Sequence, residues 1–482
     1  PESSWRLKAL NTAGNRFLLT QDPAQYVPLY RAIAETFPGD NSAPLAHWRV
    51  AWASWLDHSQ QRVTLLREQV EKFPNDTHVS DALFFLGRAA EDESNFAAAR
   101  AYYETLNAQY PHYYYAGLAR DRLISPKLVA VRTDAATRDW VEKAIGVHAN
   151  AIPDDIGTAP NAATRQRIER GRLLIAAGMT SQAIDELEFG ARQNSEQSTL
   201  LAMELSRSMP TPYLAMRVMK KFSGDYLSLP FEKASRSFWE MLFPLPYEET
   251  LTASATSRDL DPYAVAGLIR QESEFNPAAH SPVAYGLMQL IPSTGRLMGR
   301  SDGIRVASAR MLLEPTLNIK LGTQYLRGQL NQWDGDWVKT LAAYNAGPTR
   351  VRRWVEAYGY QDPAEFIENI PFNETRDYVQ AVLRNGQVYR ELYGKQKAAL
   401  AAETEVDSDV PAGKIGTVTA ASKVMTKKPQ RISVSKRKAA AAKKSTSRPA
   451  VKSTKPAAAV SEKGGGRSAV DRKKSTRKHA AA

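Results

Sequence analysis

The chain has 482 residues and carries 64 Lys/Arg against 51 Asp/Glu, a formal net charge of +13. That length leaves room for two or three domains with real cores, and the absence of cysteine excludes disulfides, a thiol nucleophile and thiolate metal sites. The excess charge is local, because residues 411–482 hold 20 Lys/Arg and only Glu462 and Asp471, so the rest of the chain is mildly acidic. No apolar run approaches the roughly 18–20 residues of a membrane span. The first residue is Pro1, with no signal peptide, so a processed form or fragment whose export signal has been removed is expected.

Taken in chain order, the first feature is a repeat. Aromatic-Pro pairs stand at 37–38, 73–74 and 110–111, at intervals of 36 and 37 residues, near the roughly 34 of a helical-hairpin unit. Between the last two, "ALFFLGRAAEDESNFAAARAYYETLNAQYP" reads as helix, short polar turn, helix, and resembles a tetratricopeptide-like unit. "GRLLIAAGMTSQAIDELEFGAR", 171–192, follows the same logic. Residues 1–240 are therefore expected to form an α-solenoid scaffold of stacked helix pairs, with aromatics such as Tyr113 to Tyr115 packed between helices. Residues 241–395 remain helix-rich but dense in Gly-Pro punctuation. Residues 396–482 lose apolar periodicity and read as a disordered Lys/Ala-rich tail.

Within the second region, "LDPYAVAGLIRQESEFNP" has clear helix punctuation. Asp261 suits the N-cap, Pro262 the first helical position, and Asn276-Pro277 ends the run. At about 100° per residue, Glu272 shares one arc with Val265, Leu268, Ile269 and Phe275. Glu274 falls opposite, beside Arg270, on a face expected to meet solvent. A carboxyl group in an apolar stripe has its charged form destabilised and its pKa raised, which is what a general acid for a glycosidic oxygen requires. On periodicity alone, a partly buried structural glutamate near a helix end fits as well.

"IRQESEFNP…HSPVAYGLMQLIPSTG…AAYNAGPTRVRRW…PFNETRDYVQAVL", spanning about 240–395, resembles the soluble lytic transglycosylases that cleave murein. The resemblance implies a mainly all-α chain, in which the α-solenoid precedes a lysozyme-like, mostly helical catalytic domain. It puts the single acid/base glutamate on Glu272, and Ser281 near the substrate's N-acetyl group. It assigns Gly286, Met288 and Gln289 of "GLMQL", and Tyr344 and Asn345 of "AYNAG", to the groove, and Glu374 to support of the site. The spacer before Gly286 reads "SPVAYGLMQ", one residue shorter than the usual "SPxGAxGLMQ", and Ile291 stands where a methionine is usual. The implied reaction cleaves the bond between N-acetylmuramic acid and N-acetylglucosamine in peptidoglycan without water, giving 1,6-anhydro ends, in the bacterial periplasm.

Three alternatives compete. A lysozyme-type hydrolase would use a second carboxylate, for which Glu374 is the candidate. A non-catalytic glycan-gripping scaffold would have no need of Glu272. The tail could bind polyanions by counterion release, but it reads as solvated, with acidic envelope polymers the second choice and nucleic acid not expected. No metal or cofactor is expected: the histidines form no H-E-x-x-H, and "GGGR" at 464–467 lacks the Lys-Ser/Thr of a phosphate loop. Trp333, Trp337 and Trp354 read as core or rim.

Overall fold

In the computed structural model, which describes residues 3–146, 156, 158–193, 197–359 and 361–394, the aromatic-Pro pairs are helix terminators. Helices α1 (Ser4–Leu19), α2 (Pro23–Thr36), α3 (Ala43–Leu56), α4 (Arg62–Lys72), α5 (His78–Asp92), α6 (Phe96–Gln109) and α7 (Tyr114–Leu123) each pack on the next. Phe37, Phe73 and Tyr110 cap α2, α4 and α6 with nearly one backbone conformation, φ/ψ of −127/52, −131/54 and −133/50. In each case the cap N–H closes on the carbonyl four residues back, at Ile33, Gln69 and Leu106. The following proline lacks an N–H and biases the aromatic before it away from the helical conformation, so every second helix stops in the same way.

Helix α8 (Ala135–Ile145) lies on α4 and α6. Helices α9 (Ala162–Ala176), α10 (Thr180–Gln193), α11 (Ser198–Arg207) and α12 (Pro212–Phe222) form a second sequential stack. Helix α13 (Arg236–Leu242) ends on Phe243-Pro244 with φ/ψ of −127/60, a fourth use of the same terminator. Tyr114 and Tyr115 are buried and Tyr113 half-buried, as inter-helix packing requires.

The remaining helices are α14 (Glu248–Thr256), α15 (Pro262–Ser273), α16 (Pro292–Ser301), α17 (Pro315–Gln332), α18 (Trp337–Ala346), α19 (Pro348–Tyr358), α20 (Pro363–Asn369) and α21 (Asn373–Tyr389). Helix α15 lies against α21 so closely that a Cβ on Gly267 would come within 2.7 Å of both the Gly386 N and the Val382 carbonyl. Only glycine permits that backbone approach. Helix α14 packs on α15 and α18 on α21, and α17 lies against both α14 and α18. Trp354 is buried against Phe372, with Trp333 and Trp337 half-buried. Among the described residues there is no β-strand, only isolated bridges at His280, Tyr285 and Leu290. No described helix is long and apolar enough to cross a membrane. The expected tail, 396–482, lies outside the described residues.

Candidate active site

Helix α15 begins as its sequence dictates. The Asp261 carboxylate accepts from the Tyr263 N–H at 2.9 Å, and Pro262 occupies the first turn. Residues 265–269 are buried against α21 and its neighbours, and this carries Glu272 to the last turn. The helix stops at Ser273, whose hydroxyl donates to the Leu287 carbonyl at 2.8 Å and ties the helix end to the following loop. Glu274 and Phe275 then take left-handed conformations, φ 52 and 61. This is an uncommon state for a buried aromatic, held here by packing of Phe275 on Tyr389.

Glu272 itself is half-buried, and its Oε1 accepts from the Tyr378 hydroxyl at 2.6 Å. Burial raises its pKa to about 7; the Tyr378 hydrogen bond pulls the other way and the charge of Glu374 adds to the rise. Both Tyr344 and Tyr378 have hydroxyls pushed well above the usual phenol range, first by burial and then by the Glu272 charge. They therefore stay protonated beside the carboxyl group. Glu374 is exposed in the first turn of α21, one turn before Tyr378.

Residues 279–290 form a loop tied together by its own backbone hydrogen bonds. The Gly286 N–H donates to the Ala279 carbonyl at 2.7 Å, and Tyr285 and Leu290 exchange two backbone hydrogen bonds at 3.0 Å. Gly286 has φ 77, and a Cβ there would lie 2.1 Å from the Leu312 carbonyl. The Gln289 amide donates to the Gly286 and Ala279 carbonyls at 2.8 and 3.1 Å. Met288 buries its side chain completely against Gly322 and presents its backbone instead. Its carbonyl accepts from the Tyr344 hydroxyl at 2.8 Å, and its N–H donates to the Asn318 side chain at 2.7 Å. The Ser281 hydroxyl accepts from the N–H groups of Val283 and Ala284, at 3.3 and 3.0 Å. Exposed Asn345 accepts from the buried Thr375 hydroxyl at 2.6 Å. Even with the shorter spacer, this loop closes on its own backbone.

The helical wheel is corrected at one face. Arg270 was expected in solvent but is 6% exposed, lying over the Phe243 ring and donating to the Leu242 carbonyl and the Tyr226 hydroxyl. Glu274 has left the helix as its C-cap and pairs with Lys220 of α12, its side chain only partly exposed. The wheel assumed one apolar side, whereas α15 is covered on both.

Sequence reasoning singled out neither Tyr378, which lies within the quoted "PFNETRDYV" stretch, nor Asn318. Asn318, fully buried, also donates to the Tyr285 and Leu312 carbonyls at 2.9 and 2.7 Å. A signal for Tyr378 was available, since it stands four residues after Glu374 on one helical face. For Asn318 there was none in its own sequence neighbourhood. Among the described residues no cluster suited to a metal ion occurs.

An acid poised near neutrality between two protonated tyrosines, at the end of a helix packed backbone-to-backbone on another, defines the class of domain. Residues 249–367 match the Transglycosylase SLT domain and residues 369–398 the Soluble lytic transglycosylase helical domain. The chain thus carries a transglycosylase SLT domain, and curated relatives named soluble lytic murein transglycosylase match part of it. It is 40% identical over 173 residues to the one from Salmonella typhimurium, covering 35% of this chain and 27% of that protein. It is 37% identical over 170 residues to the one from Escherichia coli, covering 34% and 26%. The matched region therefore spans about a quarter of those relatives. The lytic transglycosylase Slt of Pseudomonas aeruginosa, solved as an inactive glutamate-to-glutamine mutant, superposes with a TM-score of 0.58 at 25% identity, covering 81% of this chain and 58% of that one. The 70 kDa soluble lytic transglycosylase of Escherichia coli shares the fold, with a TM-score of 0.51 at 22% identity over 81% and 62%. The expected fold, an α-superhelix joined to a lysozyme-like helical domain, is the fold observed.

Proposed function

We propose that this chain is a peptidoglycan lytic transglycosylase, with residues 1–240 as scaffold, 241–395 as catalytic domain and 396–482 as a basic tail. The observation that carries the reading is Glu272, whose carboxyl group is held to a pKa of about 7 by burial. A substantial fraction is then protonated at neutral pH, and its conjugate base is a competent acceptor in the next step. Glu272 protonates the oxygen joining N-acetylmuramic acid C1 to N-acetylglucosamine, and the C1–O bond breaks. The substrate's own acetamido group stabilises C1. Glu272 then takes the proton of the sugar's 6-hydroxyl, whose oxygen bonds to C1. The product is a 1,6-anhydro end, and one residue suffices because the nucleophile is already close.

The substrate-binding residues in this reading are Ser281, Gly286, Met288, Gln289, Tyr344, Asn345 and Glu374. Among the described residues the Ser281 hydroxyl accepts two hydrogen bonds and donates none, so its proton is available to an acetamido carbonyl. Met288 and Gly286 contribute through the backbone they shape. The action belongs in the bacterial envelope, on glycan strands, with the tail solvated and acidic envelope polymers its second choice of contact.

A second reading, hydrolysis with Glu374 as the other carboxylate, has one observation in its favour: the Glu374 charge reaches Glu272. Digestion of murein in water enriched in heavy oxygen separates the two. Unlabelled anhydro ends are expected; labelled reducing ends as the main product would overturn the transglycosylase reading.

A further inference from the structure

Glu368, on α20, is fully buried, yet it belongs to neither the glycan-facing loop nor the acid. Its Oε1 accepts from the Tyr115 hydroxyl of α7 and from the Gln380 amide, both at 2.8 Å, and its Oε2 from Trp48 Nε1 of α3 at 2.9 Å. Arg376 Nε lies 3.8 Å from Oε2. The backbone carbonyl of Glu368 accepts from Arg49 Nη1 at 3.3 Å, and the other Arg49 nitrogen donates to Asn373 at 2.7 Å. Further along α3, Trp52 and Trp55 donate to Asn369 and Glu365 at 2.8 and 3.2 Å. The charged and titratable groups facing Glu368 are thus Arg49, Arg376, Tyr114, Tyr115 and Asp81. The Asp81 carboxyl is pushed well above the usual carboxylate range by burial and then by the Glu368 charge.

The two α21 residues held by this one carboxylate, Arg376 and Gln380, are a turn apart and bracket Tyr378. Holding both fixes the rotation of α21 about its axis, and that rotation decides whether the Tyr378 hydroxyl reaches Glu272. We propose that Glu368 is a positioning residue for the reaction, seated by Trp48 and Tyr115 of the N-terminal helices, which holds Tyr378 on the catalytic acid. The N-terminal helices thereby act on the acid as well as carrying the domain. This inference rests on the proposed role of Glu272.

The test measures the pH profile of kcat on murein together with direct titration of Glu272 in 13C-glutamate-labelled protein. The groups facing Glu272 are Tyr378, Glu374 and Tyr344. Loss of the Tyr378 hydrogen bond removes a donor to the carboxylate, so the Glu272 titration moves to higher pH. Through-space loss of the Glu368 charge would move it the other way, so the sign discriminates. In Glu368→Gln, kcat is expected to fall about 10-fold, within the roughly 10²-fold that a misplacement of about 1 Å costs. The alkaline limb and the Glu272 titration should both shift upward, as in Tyr378→Phe, and should shift no further when the two changes are combined. Gln380→Met, on the half-buried side of α21, carries the same expectation and decides alone if Glu368→Gln does not fold. Trp55→Phe, which removes the indole hydrogen bond to Glu365 of α20, should lower Tm without moving the titration. An unmoved Glu272 titration in folded Glu368→Gln and Gln380→Met would overturn the proposal. Labelled reducing ends from the wild type would instead sink the functional reading and leave the titration result standing.

Discussion

The Tyr378 hydroxyl lies 2.6 Å from Glu272 Oε1, and it is the one hydrogen bond this carboxyl group makes among the described residues. It stabilises the ionised form, while burial and Glu374 oppose that form. The acid must be protonated to act, so activity is expected to fall as pH rises through about 7. Tyr378→Phe should move that limb to higher pH, and Glu374→Gln to lower pH. Steady-state rates on soluble glycan strands between pH 5 and 9 check both; shifts in one direction would contradict the electrostatics.

Glu272→Gln should keep the fold and lower turnover by at least the roughly 10²–10⁴ ascribed to general acid–base catalysis. Glu274→Gln should stay near wild type in turnover, because it loses only a partly exposed pair with Lys220, worth at most about 1 kcal/mol. Parallel assays and melts of the two variants separate the two glutamates.

The same burial has a stability consequence. Glu272 is harder to ionise folded than unfolded, so the folded state holds its proton between the ordinary glutamate range and about 7. Stability is lost across that window as pH rises. Glu272→Gln removes the penalty, so the mutant should be more stable than wild type at pH 8, by up to about 3 kcal/mol, and closer to it at pH 4. Denaturant melts at the two pH values measure the difference.

Gly286→Ala should damage the loop from within. Its φ of 77 disfavours any side chain, and the added Cβ would press on the Leu312 carbonyl at 2.1 Å. A loss of about 2–4 kcal/mol is expected, with a raised KM for murein as the 279–290 loop shifts. A calorimetric scan and a saturation curve read the two effects separately.

Deleting 411–482 should leave Tm and turnover on short glycans unchanged, since the segment has no leucine or aromatic residue with which to build a core. Binding to sacculi should weaken, most clearly at low salt, where screening is least. A sedimentation assay across salt concentrations checks it.

Much of this molecule was readable from local sequence. The aromatic-Pro spacing marked the ends of α2, α4 and α6, because a proline biases the residue before it away from the helical conformation. Asp261-Pro262 marked the start of α15, and the apolar arc placed Glu272 on its buried side; both follow from one or two turns of chain. The tertiary structure decided the rest. Arg270 is buried because α13 and the residues around Tyr226, some 28 to 44 positions earlier, close over the second face of α15, which no wheel can register. Asn318 staples the 279–290 loop from α17, and Glu368 meets Trp48 across 320 positions. Periodicity reports which side of a helix is apolar. Which distant groups complete its hydrogen bonds, and so set the protonation of Glu272, is settled only when the helices pack.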